Sequence, residues 1–367
     1  GLSEKEIAQS IRELKRMRDE TEKVKASAGN LSQLFQGIAQ GIGQQITQLG
    51  IEALRASLTA VVGVVRDAVR EFEQFDSALT AFDAKSDASA EQIQRIGEQA
   101  VQLAAVTSQT PGSVAELSTA LLTLGATADE VEDNLEGITK LSDVLSEDPV
   151  ITGKVVQTGI TNFAELGETS DTLTDKLNTL INTTAAGSTG GIEEFFQFFQ
   201  DVGPLAGTLD ADFDQLSAAF ATLRDSGFSA ATGATGLRIA LLRLSAPSGE
   251  AETILDSLAS RIEGVDNLAF NTDGTFRGFT ETIQNFAQAT QGFNQQEQLE
   301  LAKKLFGDEG APAILALLGE IDGKYQNTLN NLQNSAGSTS ESLEILNQSL
   351  ERQALLLEGN ISGALTS

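Results

Sequence analysis

Two stretches of this chain carry residue types that could do chemistry. The first is Ser226–Pro247, SGFSAATGATGLRIALLRLSAP. Three glycines, Gly227, Gly233 and Gly236, run into an apolar segment that starts Leu237-Arg238 and also holds Arg243. A Gly-rich loop at a helix N-terminus offers backbone N–H groups to an anion. This stretch lacks the Lys-Ser/Thr of a P-loop, and no strand pattern precedes it. The second is Asn271-Thr-Asp-Gly-Thr, which has the opening of a calcium loop but not its later ligands or closing glutamate. An Asx turn at Asp273-Gly274 fits it better. Arg238 and Arg243 are expected to pair with carboxylates at helix ends, such as Asp225 or Glu250.

The residue inventory narrows the chemistry further. The 367 residues contain no histidine and no cysteine. That excludes Cys/His metal sites, thiol nucleophiles, disulfides and imidazole bases. Carboxylate catalysis stays open, but with 52 acidic residues no pair singles itself out. No catalytic residue, metal or cofactor is therefore assigned, and the expectation is a protein that is not an enzyme. The net charge is −28, and it is uneven. Residues 1–30 sum to +1, residues 31–50 carry no charge, and the other 317 carry −29. Such a surface repels nucleic acid and anionic membranes. No apolar stretch of about 18 residues is free of charge, the nearest being 53–69 with Arg55, Arg66 and Asp67. No signal peptide is evident. The chain begins at Gly1 rather than Met, as a piece of a longer protein would.

The elements that must position these stretches read as helices throughout, an all-α fold. Leu14, Met17, Val24, Leu31, Phe35, Ile38, Ile42 and Leu49, with Thr21, Ala28 and Gln45 between, step by three and four for five heptads. A sustained 3.5-residue period predicts a self-associating N-terminal coiled coil over 1–50. Residues 51–82 continue as an amphipathic connecting helix. From 83 to 320 a multi-helix core follows, with a helix opening at Ser89 and punctuated helices at 114–124, 130–145, 150–166, 170–183, 191–199, 210–224, 237–244, 250–261, 279–290 and 299–318. Ser89 with Gln92, and Ser113 with Glu116, have capping-box spacing. A short hairpin around Asp273-Gly274 is the best strand signal. Residues 321–367 read as a C-terminal amphipathic helical segment. Within the core, Pro111–Leu124 aligns with Thr189–Val202, and Gly125 onward aligns with Gly207 onward. That predicts a duplicated helical hairpin.

The ordered set resembles the core region of phage tail tape measure proteins. The resemblance rests on an acidic helix start (Leu209–Phe213), Leu223–Gly227, the Gly/Ala/Thr turn Ala231–Gly236, and a helix opening Leu237-Arg238. Gly191–Pro204, Asp273-Gly274-Thr-Phe276, and Leu305-Phe306-Gly307 with Ala313–Leu318 follow the same order. It spans roughly residues 83–320, and members of that family are usually much longer. The resemblance implies a structural protein in the tail tube lumen that sets tail length and leaves ahead of the DNA. It implies self-association as a trimer or hexamer, and contacts with tail tube and tail-tip proteins and with tail assembly chaperones. It implies no stable nucleic-acid binding, a late contact with the host membrane, and a passage through the host cytoplasm during assembly. A fully helical chain of this length would span about 550 Å, whereas a compact 240-residue core would be roughly 45 Å across. Such a core is expected to open into extended helices, or to sit at a tube end. A secreted or injected helical effector or pore-former is the alternative reading. A carboxylate-based glycosidase is the third, although no wall-degrading domain is recognisable here.

Overall fold

The computed structural model describes residues 70–163, 167–184, 191–207 and 211–348. The coiled-coil positions Leu14, Met17, Val24, Leu31, Phe35, Ile38, Ile42 and Leu49 lie outside these residues, as does the segment beyond 348. The described residues form an all-α fold without a β-strand; one isolated bridge joins Phe270 and Phe276. They fall into two compact units, residues 70–139 with 345–348, and residues within 140–344.

The first unit contains helix α1 (70–85), α2 (Ala90–Val106), α3 (Pro111–Thr123) and the start of α4 (Ala128–Leu145). Its core is mostly aliphatic: beside the rings of Phe75 and Phe82, Ile96, Ala100, Leu117, Leu121, Val131 and Leu135 are buried. The Ser89–Gln92 capping box forms as the spacing predicts. The second predicted box is displaced by three residues. Thr110 is the N-cap and Ser113 its reciprocal partner, so α3 begins at Pro111 rather than Val114. Proline at the first helical position needs no N–H there, which favours the earlier start. Glu116 instead accepts from Gln74 at 2.8 Å.

The second unit holds α5 (Pro149–Phe163), α6 (Ser170–Thr183), α7 (Gly191–Val202) and a 3-10 turn at Gly203–Leu205. Then come α8 (Phe213–Asp225), α9 (Ala230–Ser245), α10 (Gly249–Ala259) and α11 (Phe279–Ala289). The run closes with α12 (Gln295–Glu320), a π-turn at Ile321–Tyr325, α13 (Gln326–Gln333) and α14 (Ser338–Asn347). At its centre are six buried phenylalanines: Phe163, Phe195, Phe198, Phe199, Phe213 and Phe220. Phe163 meets Phe213 edge-on at 5.5 Å, and Phe195 meets Phe220 edge-on at 5.3 Å. Edge-to-face contacts suit the ring quadrupoles, and they lock α5, α7 and α8 together. Helix α9 packs on α7 and on α12.

Two sequence-based boundaries are corrected here. Residues 299–318 do not form one helix: α12 is broken at Gly307, whose φ of 75° and ψ of 175° are non-helical. The predicted hairpin at 267–276 reduces to the single bridge and a tight turn. The two aligned repeat segments are each helix–turn–helix, but their turns differ. The first turns on Gly125 at φ 96°, and the second passes through the 3-10 turn.

Candidate functional site

Ser226–Pro247 begins with a helix stop. Phe228 N–H donates to the Leu223 carbonyl at 3.0 Å, and Gly227 N–H donates to Arg224 at 2.9 Å. This is a Schellman motif, and Gly227 supplies its left-handed residue at φ 90°. Ser229 then caps the next helix, accepting from Thr232 N–H at 3.1 Å. Helix α9 therefore starts at Ala230, seven residues before the expected Leu237. The predicted Gly/Ala/Thr turn at Ala231–Gly236 is helix. Ser229 satisfies the first-turn donor, and the glycines face other helices. The Gly233 N–H itself is committed to the Ser229 carbonyl at 2.9 Å. No phosphate cradle forms.

What forms instead is a close helix crossing. A Cβ on Gly236 would stand 2.9 Å from the Ala313 Cβ and 3.0 Å from the Glu309 carbonyl oxygen. A Cβ on Gly310 would stand 3.2 Å from the Ala240 nitrogen. One step further, Gly307 turns away at the break in α12, and a Cβ there would stand 2.9 Å from the Arg243 guanidinium. Gly236, Ala240 and Arg243 on α9 thus face Ala313, Gly310 and Gly307 on α12. Spacings of three and four put each set on one helical face, and the absence of side chains lets the backbones approach. Leu237 is fully buried beside this seam, and Arg238 is half-buried.

The other predicted residues fall as follows. Phe306 is buried and meets Phe286 of α11 edge-on at 5.4 Å. Gly233 packs on Leu223. Asp273 and Gly274 form an exposed turn away from these contacts. The Asp273 carboxylate accepts from Thr275 N–H at 2.9 Å and from its hydroxyl at 2.6 Å, which holds the carboxyl below its usual range. That is the Asx turn, with Gly274 at φ 84°. The predicted pairing of Arg238 or Arg243 with Asp225 or Glu250 does not occur. Asp225 faces Lys324 at 3.6 Å, and the partly buried Arg224 takes Glu194 at 2.6 Å. The guanidinium of the exposed Arg243 lies instead over Gly307 at the break in α12.

One polar cluster had no sequence signature. Lys176 of α6 lies between Glu168, in direct contact, and Asp214 at 2.9 Å. Asp212 caps α8 alongside, accepting from Gln215 N–H at 2.7 Å. Burial raises the Asp212 carboxyl against the Gln215 bond, and raises Asp214 against the Lys176 bond. Burial also works against the Lys176 ammonium, yet its bonds to Asp214 and Glu168 outweigh that and raise its pKa. Tyr325, fully buried, shares a 2.6 Å hydrogen bond with Thr280. Burial pushes its phenol above the ordinary range. Among the described residues, no group of three or more acidic side chains could hold a metal ion.

Of the singled-out residues the crossing brings together Gly236 and Gly307, with Leu237 beside them; Gly227, Gly233, Phe306, Asp273 and Gly274 lie at other contacts or turns. The model of a family described as phage-related minor tail proteins matches residues 97–307, more than half of the chain. The chain belongs to that family. The match takes in Gly227, Gly233, Gly236, Arg243 and the Gly307 break. A tape measure protein of Pneumococcus phage Dp-1 is 22% identical over 309 residues. The alignment covers 84% of this chain and 26% of the phage Dp-1 protein. The chain therefore spans about a quarter of the length of the curated relative it matches. No solved structure matches. Nothing in these comparisons supports a secreted effector or pore-former. No helix among the described residues is long and apolar enough to cross a membrane.

Sequence reasoning missed Ala240, Gly310, Lys176 and Asp214, and it named Arg243 and Ala313 without their place in the crossing. For Ala240, Gly310 and Ala313 a signal existed: with Gly236 and Gly307 they are small residues at three- and four-residue steps on two separate helices. For Lys176 nothing distinguished it from the other 23 basic residues.

Proposed function

We propose that this chain is the core part of a phage tail tape measure protein. The reading rests chiefly on the match to the phage Dp-1 tape measure protein along most of this chain. In this role it is a structural component, not an enzyme, and takes no cofactor. It lies in the tail tube lumen of the virion in several copies, a trimer or a hexamer, after assembly in the host cytoplasm with tail chaperones. It contacts tail tube and tail-tip proteins, and it leaves ahead of the genome, with a late contact at the host membrane.

Residues 1–50 are the self-association coiled coil, 51–82 the connection, 83–320 the helical core and 321–367 the closing helical segment. The charge of −28 supports the exit step, because an acidic lumen protein neither binds nor retains DNA. The glycine crossing serves packing: it closes the core without a ligand. Within a finished tube the core opens into extended helices or occupies a tube end.

The test is in-frame deletion of helical segments from the phage gene, followed by tail measurement in electron micrographs. Shortening of about 1.5 Å per residue removed is expected. Unchanged tail length, or absence of the chain from purified tails, would overturn the role.

A further inference from the structure

Nine helices of the described fold draw their N-terminal cap from their own flanking residue, among them Ser89, Thr110, Thr169, Asp212, Ser229, Ser248 and Asn294. Helix α14 does not. It follows Gly337, which has no side chain to cap with and sits at φ 83°. Its cap comes from α6, 162 residues earlier. The Asp175 carboxylate accepts Gly337 N–H at 2.6 Å through one oxygen and Thr339 N–H at 2.9 Å through the other. The Ser338 hydroxyl donates to the Asp175 carbonyl at 2.8 Å. Asn178 donates to the Ser338 and Ser342 hydroxyls at 3.2 and 3.0 Å, and Thr179 donates to Ser338 at 3.2 Å.

The bonds joining α6 to the start of α14 are thus polar on both sides. In the first seven residues of α14 only Thr339 and Leu343 are buried. In α9, by contrast, eight residues are buried. Water can replace each of these polar bonds once the surfaces part, so separating them costs far less than opening an apolar contact. The cap itself is charge-assisted and sits at the positive end of the helix dipole. A helix that leaves Asp175 has only a glycine at its N-cap, so undocking and fraying are one event.

We infer that the first seven residues of α14, Ser338–Glu344, form a releasable strap on the second unit, latched by Asp175 and opening while α9 and α12 stay folded. The inference stands on this geometry alone and is independent of the proposed tail role.

Native-state amide exchange on the whole chain, read at rising sub-denaturing urea, tests it. In the wild type, the amides of Glu341–Glu344 should exchange faster than those of Leu237–Leu241, with little urea dependence. Asp175→Ala should speed exchange at Glu341–Glu344 by about tenfold, the usual weight of a lost charged cap. It should leave Leu237–Leu241 unchanged. Asp171→Ala, which removes a neighbouring charge on the same helix, should leave the strap near wild type. If Asp175→Ala does not fold, the wild-type urea series decides. Exchange of both segments with one common rate and urea slope would overturn the strap. So would equal acceleration of both segments in Asp175→Ala, or strap acceleration by Asp171→Ala as large as by Asp175→Ala.

Discussion

Gly233 and Gly236 lie three residues apart on one helix, yet they should respond oppositely to a methyl group. At Gly236 the added Cβ meets Ala313 and the Glu309 backbone at 2.9 and 3.0 Å, and neither can swing aside. Gly236→Ala should cost about 1–3 kcal/mol through overpacking. At Gly233 the nearest atoms are ordinary contacts of 3.4 Å and beyond. Gly233→Ala should be neutral or stabilise by up to about 1 kcal/mol through helix propensity. Urea denaturation of both variants checks the pair. The Lys176 cluster gives a pH-dependent counterpart. The folded-state pKa values of Asp212 and Asp214 are raised, so their burial opposes folding while they are ionised. That opposition is relieved as pH falls through the raised values. Lys176 is raised too, so its stabilising contribution is present below its unfolded pKa and lost as pH rises through the folded value. Lys176→Met should therefore cost about 2–3 kcal/mol at pH 7, less than for a fully buried pair because the cluster keeps some solvent. The cost should shrink at pH 4, where the two aspartates begin to take up protons. Equal costs at both pH values would remove the aspartates from the account.

At the scale of the element, the break in α12 is held by both conformation and contact. Gly307→Ala faces a left-handed φ of 75° and the Arg243 guanidinium at 2.9 Å. It should cost about 2 kcal/mol or more. Adding Arg243→Ala should recover the contact part and leave the conformational part. A double-mutant cycle by thermal unfolding separates the two, and a coupling energy of zero would show that Arg243 does not hold the break. This element also shows what the sequence can and cannot disclose. Capping chemistry is local: Ser89 reaches Gln92 three residues on, so the start of α2 is readable from the string. Even there a competing signal can mislead, as when Pro111 moved the start of α3 ahead of Ser113. The Gly/Ala/Thr run was unreadable for a different reason. Glycine has the same identity in a turn and in a helix crossing, and the residues that decide between them, Glu309 and Ala313, lie more than seventy positions away. Arg243 likewise reads as an ion-pair donor from the string alone, whereas its guanidinium lies over Gly307, 64 positions on.

For the whole molecule, charge dominates. With 24 basic against 52 acidic side chains, self-repulsion works against any compact state. Ion pairs at the surface offset little of this: Arg95–Glu132 lowers the Glu132 carboxyl but contributes little net stability. Added salt should thus raise Tm as the Debye length falls from about 30 Å at 0.01 M to about 3 Å at 1 M. Scanning calorimetry across that range checks it, and a falling Tm would mean that ion pairs outweigh repulsion. The all-α class was legible at this scale, because helical periodicity and carboxylates at helix starts run along most of the chain. The partition into units at Thr139 and Glu344 was not, since both boundaries fall inside continuous helices, α4 and α14.

Tyr325 carries one more consequence. It is the sole tyrosine of a chain with no tryptophan, and it is fully buried against Thr280 in the second unit. Its emission is a built-in optical reporter that nothing else in the chain overlaps except weak phenylalanine. Unfolding of residues 140–344 can be followed through this one chromophore without any label, while helicity by circular dichroism follows both units. If the two signals separate along a denaturant titration, the units melt independently.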